Sequence, residues 1–195
     1  MADIERTTTP NLKETRSGLV GEFAAFFNVK PGQAANLRKA ALEYANSPAR
    51  KTGGERGEQM AIITGIHDIR LTLFDNDTRF LFATSFDTAW DPYVDDSIAA
   101  MDGIWPWGHF LQYIVEAPDG IEIKGKISPA AGKDFLNKHR VQSAAFLPTF
   151  SNVSNKELIR ALKVLKAFEQ VLDNPAAEKA LQDPALKPLL DQAST

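Results

Sequence analysis

The chain has 195 residues, 44% hydrophobic and 24% charged, with a formal net charge of −3 from 22 Lys and Arg against 25 Asp and Glu. That length suits one well-buried domain, or one domain with a helical appendage, and the missing basic footprint gives no reason to expect nucleic acid as a partner. With no cysteine in the chain, disulfides, thiolate metal sites and cysteine nucleophiles are excluded, and a reducing, cytoplasmic setting is expected.

Residues 1–17 are polar, contain Pro10 and read as a flexible arm. They hold no apolar stretch of the kind a signal peptide needs, and no run anywhere approaches the roughly 20 apolar residues of a membrane span. Leu19 to Val29, with Phe23, Phe26 and Phe27, reads as a first strand. Lys30-Pro31-Gly32 leads into a helix over Gln33 to Asn46, with Leu37, Ala41 and Tyr44 on one face. Pro31 suits an early helical position, where its missing N–H is not needed. Ser47-Pro48 ends that helix, and residues 48–59 read as a polar loop with three glycines, long enough to cover a site.

The span from Met60 to Phe86 reads as strand and hairpin. Two alternating runs meet at Asp75-Asn76-Asp77, residue types that tolerate the positive φ angles of a tight turn. Ile69, Leu71 and Leu73 share one face of the first run, and Phe80, Phe82, Thr84 and Phe86 share one face of the second. Trp90 to Met101 reads as a helix with Tyr93, Val94, Ile98 and Met101 as its apolar side, opened by Asp91 before Pro92.

Trp105-Pro-Trp-Gly-His109 is a rigid connector to a fourth strand at Phe110 to Ala117. Pro118-Asp119-Gly120 is a turn, after which Ile121 to Ile127 can add a strand. A short helix follows at Pro129 to Lys138, then a buried strand over Val141 to Phe150. Ser154-Asn155-Lys156-Glu157 matches a capping box. The helix it opens carries Leu158, Leu162, Leu165, Phe168 and Leu172 and stops at Asn174-Pro175. Short helices broken at Pro184 and Pro188 complete the tail.

Residues 19–117 therefore read β-α-β-β-α-β, the split βαβ order of ferredoxin-like α+β folds. The expected division is a flexible arm at 1–17, a ferredoxin-like domain with its extension at 18–150, and a C-terminal helical segment of the same domain at 151–195. The hairpin is apolar on both faces, so an uncovered outer face would be a large apolar patch. Pairing two sheets face to face in a homodimer removes it.

On this element order, together with His67-Asp-Ile-Arg70 and Phe86-Asp-Thr-Ala-Trp-Asp-Pro-Tyr-Val-Asp-Asp96, the chain resembles the dimeric α/β barrel superfamily. That superfamily includes small monooxygenases, isomerases, chlorite dismutase and dye-decolourising peroxidases. The resemblance implies a homodimer and a cavity between sheet and helices for a small apolar substrate or for haem. Fold analogy does not choose among these activities.

The histidines are the candidates for chemistry. His67, beside Asp68 and Arg70, suits a general base or polar anchor at a cavity mouth, or a hydrogen-bonded residue at a strand end. His109, after Trp105 and Trp107, suits a polar group in an apolar pocket, or a packed connector. His139 and Arg140 suit a haem site, with His139 as axial ligand. A cationic helix C-terminus explains Lys138, His139 and Arg140 as well. Arg70 has the donors to pair with a ligand carboxylate or a haem propionate.

Asp91 and Asp95, four apart, share one side of a helix, where they suit a hard cation or a solvated face. No two histidines have zinc spacing, Gly53-Gly54-Glu-Arg-Gly57 lacks the end of a P-loop, and no nucleophile elbow is present.

Two functions follow. In one, Phe80, Phe82, Phe86, Trp105 and Trp107 wall a pocket for a small apolar ligand or haem, with His67, Arg70 and His109 as its polar groups in an oxidoreductase-like barrel. In the other, the same aromatics are core and interface of a non-enzymatic dimeric interaction module.

Overall fold

A computed structural model describes residue 8 and residues 14–47, 55–99, 108–117 and 129–193. The chain divides into two compact units, Met1–Lys156 and Glu157–Thr195. The first unit is an α+β fold around an open five-stranded antiparallel sheet.

Its elements run β1 (Thr15–Ser17), β2 (Val20–Asn28), α1 (Ala34–Ala45), α2 (Glu55–Thr64), β3 (Ile66–Phe74), β4 (Arg79–Phe86), α3 (Trp90–Ala99), α4 (Gly108–Leu111), α5 (Pro129–Lys138) and β5 (Arg140–Val141), followed by the start of α6 (Asn155–Leu172). The strands lie in the order β1-β2-β4-β3, with β5 also paired to β2.

The hairpin turns where expected: Asp75, Asn76 and Asp77 have φ of 53°, 51° and 63°. Thr78 closes the turn by donating its backbone N–H to the Asp75 carbonyl at 3.1 Å and its hydroxyl to the same oxygen at 2.6 Å. Three consecutive left-handed residues exclude β-branched side chains. Asn76→Val is therefore expected to cost about 1–2 kcal/mol in urea unfolding, and Asn76→Gly to stay within about 1 kcal/mol of the parent.

Core residues come from one face of the sheet and the helices laid on it. Phe23, Ala25 and Phe27 of β2 and Phe80, Phe82 and Phe86 of β4 meet Leu37 of α1, Trp90, Tyr93, Val94 and Ile98 of α3, Phe110 and Leu111 of α4, and Phe135 and Leu136 of α5. The rings stack at 4.1 Å for Phe23–Trp90 and 4.1 Å for Phe86–Tyr93. Each such pair is worth about 0.5–1.5 kcal/mol beyond the area it buries.

Several elements differ from the sequence expectation. Residues 15–17 form a strand instead of belonging to the arm, because Gly18 at φ 62° turns them back onto Val20–Glu22. Residues 55–64 are helix where loop and strand were expected; Glu55 and Glu58 favour its first turn, and Gly65 at φ 66° ends it.

The expected fourth strand over 110–117 is reduced to α4 and a single bridge, Val29↔Ile114. Val115 N–H donates to the Asn28 carbonyl at 2.8 Å and Lys30 N–H to the Tyr113 carbonyl at 2.8 Å, so this segment still lies along the expected edge of β2. Of the expected strand 141–150 only the first residue pairs, in Arg140–Val141. The rest runs irregularly to Ser151, whose carbonyl accepts from Leu19 N–H at 2.6 Å. Pro148 has no N–H to give a ladder there. The expected strand at 121–127, Trp105 and Trp107, and residues 48–54 of the expected loop lie outside the described residues.

In the second unit α6 continues to Leu172 as expected and ends before Asn174, whose side chain accepts from Ala176 N–H at 3.0 Å. The short helices α7 (Glu178–Leu181) and α8 (Lys187–Ala193) follow. Asp183 caps the turn at Pro184 by accepting from Ala185 N–H at 2.9 Å, and Pro188 sits inside the first turn of α8 instead of breaking it. No helix among the described residues is long and apolar enough to cross a membrane.

Candidate functional site

A cleft of about 540 Å³ opens on the sheet face opposite the core. His67, Asp68, Arg70 and Ser85 give it a polar floor, while Val20 and the strap Phe146–Phe150 supply apolar walls. Alternation along β4 explains the division: Phe82, Thr84 and Phe86 enter the core, and Ser85 between them faces the cleft.

A β-bulge sets the position of His67. Ile66 pairs with Phe86 and Asp68 with Ser85, leaving His67 as the extra residue. Bulges re-aim a side chain out of the regular alternation. Here His67 Nε2 lies 2.5 Å from Asp87 Oδ1, with the two side chains only 17% and 11% exposed.

Asp87 is held from every side. Its N–H donates to the Gly65 carbonyl at 3.0 Å, and its Oδ2 accepts from Asn155 N–H at 2.7 Å. Asn155 Nδ2 donates in turn to the Ile66 carbonyl at 2.5 Å. Gly65 lets Asp87 come this close, since a Cβ there would sit 3.2 Å from the Asp87 Cβ. In the tautomer that donates Nε2–H to this carboxylate, Nδ1 is left as an acceptor.

The rest of the floor is braced as well. Ser85 Oγ donates to Asp68 Oδ2, Arg70 Nε lies 3.4 Å from Asp68 Oδ1, and Thr84 Oγ1 donates to the Asp68 carbonyl at 2.8 Å. The structure thus brings His67 and Arg70 to one cleft.

It does not bring Phe80, Phe82 and Phe86 there: all three are at most 3% exposed in the core. The His109 side chain, Trp105 and Trp107 lie outside the description. His139 packs its ring against Phe27 at 5.2 Å and Phe135 at 5.0 Å. Arg140 lies over the Phe23 ring, with Nε and Nη1 buried and without a hydrogen-bond partner among the described residues. Burial pushes its guanidinium below the ordinary value, against the raising effect of Glu14 and Glu22.

Asp91 and Asp95 face a lysine. Lys133 Nζ on α5 lies 2.8 Å from Asp95 Oδ1, without hydrogen-bond alignment, and 3.4 Å from Asp91 Oδ1. Lys133 and Asp95 are each 2% exposed.

The partners Asp87, Asn155, Ser85 and the strap were not singled out from sequence as parts of a site with His67. The hairpin register carried a signal for Asp87, because pairing Phe74 with Arg79 brings the start of β3 beside the end of β4. No family model, curated protein or solved structure matches this chain.

Proposed function

We propose that the cleft binds a small, largely apolar molecule whose polar group meets His67, and that the His67–Asp87 pair can accept or return one proton there. The observation that carries this is the 2.5 Å contact between His67 Nε2 and a doubly held Asp87, beside an apolar strap. A carboxylate that fixes one imidazole nitrogen leaves the other oriented toward whatever occupies the cleft. Phe146, Pro148 and Phe150 supply an apolar side to an open cleft, the kind of surface an apolar ligand would cover.

The described histidines do not fit a haem ligand. His67 Nε2 is occupied by Asp87, and His139 packs against Phe27 and Phe135, outside the cleft lining. Adding hemin should therefore produce no stoichiometric Soret band that depends on His67 or His139; one lost in His67→Ala or His139→Ala would reverse this reading.

The finer fold is read as a split βαβ sheet of the dimeric α/β barrel kind. It is supported by the order β2-β4-β3, with β2 and β3 parallel to each other on either side of β4, and by residues 113–115 along the far edge of β2. Barrel closure would use the outer sheet face around Phe26, Phe74 and Leu81, half-buried in one copy. The alternative, a non-enzymatic module, is supported by Phe80, Phe82 and Phe86 serving wholly as core.

Fluorescence titration with anilinonaphthalene sulfonate separates the two readings. The cleft should bind one probe saturably, Phe150→Asp should abolish binding, and His67→Ala should weaken it about tenfold, or about 1.4 kcal/mol for one hydrogen bond. Absence of saturable binding, or binding that neither variant changes, would favour the interaction module.

A further inference from the structure

The two outer edges of the sheet are treated differently. The free side of β2 is covered in three pieces, by β1 at Val20–Glu22, by β5 at Ala24 and Ala25, and by the bridge at Val29. β3 is the last strand at the other edge, where the Ile66 carbonyl accepts from Asn155 Nδ2. From His67 to Phe74 no described group outside β4 bonds the backbone, so a ladder centred on Ile69 runs from His67 to Leu71 of each copy. A long strand with a row of unpaired N–H and C=O groups is a template for another strand.

The pattern of charges on β3 selects the occupant. Asp68, Arg70 and Thr72 are exposed along one face, and Ile69, Leu71 and Leu73 are half-buried on the other. We infer that β3 pairs antiparallel with β3 of a second copy, in the register centred on Ile69, so that two sheets become one.

In that register Asp68 stands opposite Arg70 of the second copy, and the two-fold axis repeats the pair. Ile69 meets Ile69, and His67 meets Leu71. Centring on Arg70 would instead set two guanidinium groups against each other, and like charges directly opposite are destabilising. The exposed Asp68–Arg70 pair within one chain, at 3.4 Å, is worth at most about 1 kcal/mol and exchanges readily for the intermolecular pairs. An isologous interface of this kind closes at two copies. The inference keeps the homodimer of the proposed reading but joins its two sheets at the β3 edge in place of barrel closure through the outer face. It does not depend on what the cleft binds, and it is read by mass instead of by ligand.

The test is sedimentation velocity over a concentration series. The parent should dimerise as concentration rises. Arg70→Asp puts carboxylates opposite each other twice and should weaken association at least about tenfold. Reversing both charges, Asp68→Arg with Arg70→Asp, should restore it, which mere misfolding of the single variant would not allow.

The chain has no cysteine, so Ile69→Cys introduces a sole thiol. It should form a symmetric disulfide on mild oxidation, since directly opposed residues have Cα atoms about 4.5–5.5 Å apart. Thr72→Cys, six residues from its own copy in this register, should not. A parent that stays monomeric, a dimer indifferent to Arg70→Asp (which assigns association to the outer sheet face), or cross-linking at residue 72 in preference to 69 would overturn the inference.

Discussion

Lys133→Met is expected to destabilise the fold by about 3–5 kcal/mol, the usual range for removing one partner of a buried ion pair. Lys133 and Asp95 are both 2% exposed, and Asp91 stands one turn before Asp95 on α3. Methionine fills much of the lysine's volume, so little of the effect is cavity formation; the loss is the cation. The Asp95 carboxylate is then left in the interior without its counter-ion. A fall of roughly 10 °C in melting temperature should follow for a chain of this size.

The companion variant separates charge from packing. Lys133→Met with Asp95→Asn removes the stranded charge and should recover about half of the loss or more, as expected for coupled neighbours. A single variant within about 1 kcal/mol of the parent would mean that water or another group reaches Asp95. The same ion pair ties α5 to α3, and β5 leaves α5 after only His139 to join β2. Its loss is therefore expected to loosen the β2 edge as well.

The turn and both alternations of the hairpin were legible in the sequence, because they are local. Asp75, Asn76 and Asp77 adopt the positive φ angles their types tolerate, and Phe80, Phe82 and Phe86 share the inward face. Elements set by distant contacts were not legible. The run from Ala61 to Thr64 has no clear period of its own in the chain, and Ala61, Ile62 and Ile63 read equally as strand; Glu55 and Glu58 upstream and Gly65 downstream resolve it as helix.

Val141 to Phe150 is apolar like a buried strand, yet it becomes a strap whose Leu147 is 89% exposed. Composition reports that such a segment seeks an apolar surface, not that the surface is the rim of a cleft. For the site, His67 and Arg70 were visible as polar residues in an apolar alternation. Asp87 and Asn155 were not visible as partners, since a bulge at His67 and a carboxylate holding the first turn of α6 are three-dimensional facts. Asp91 and Asp95 were legible as a pair on one helix side, but the cation facing them comes from a helix some forty residues later.

Gly18→Ala is expected to damage both fold and cleft, and its comparison with Gly32→Ala shows why. Both glycines have positive φ, 62° and 73°, so alanine carries a left-handed cost of about 1–2 kcal/mol at either position. At Gly32 nothing lies within 4 Å of the added Cβ. At Gly18 the added Cβ would run into the Ser151 carbonyl oxygen and Asn152 Oδ1, well inside contact distance. The same Ser151 carbonyl holds Leu19 N–H at 2.6 Å, so the turn between β1 and β2 is where the strap is fastened to the sheet.

Alanine at 18 must push that strap away, and the total loss should reach about 2–4 kcal/mol, with Gly32→Ala near 1 kcal/mol. Because Phe146–Phe150 wall the cleft, the displaced strap should also weaken probe binding at least about tenfold, about 1.4 kcal/mol, while Gly32→Ala leaves it unchanged. Urea unfolding and probe titration on the two variants give both readings. Equal losses of stability with unchanged binding would show that the strap is held elsewhere, and that the apolar wall does not depend on this turn.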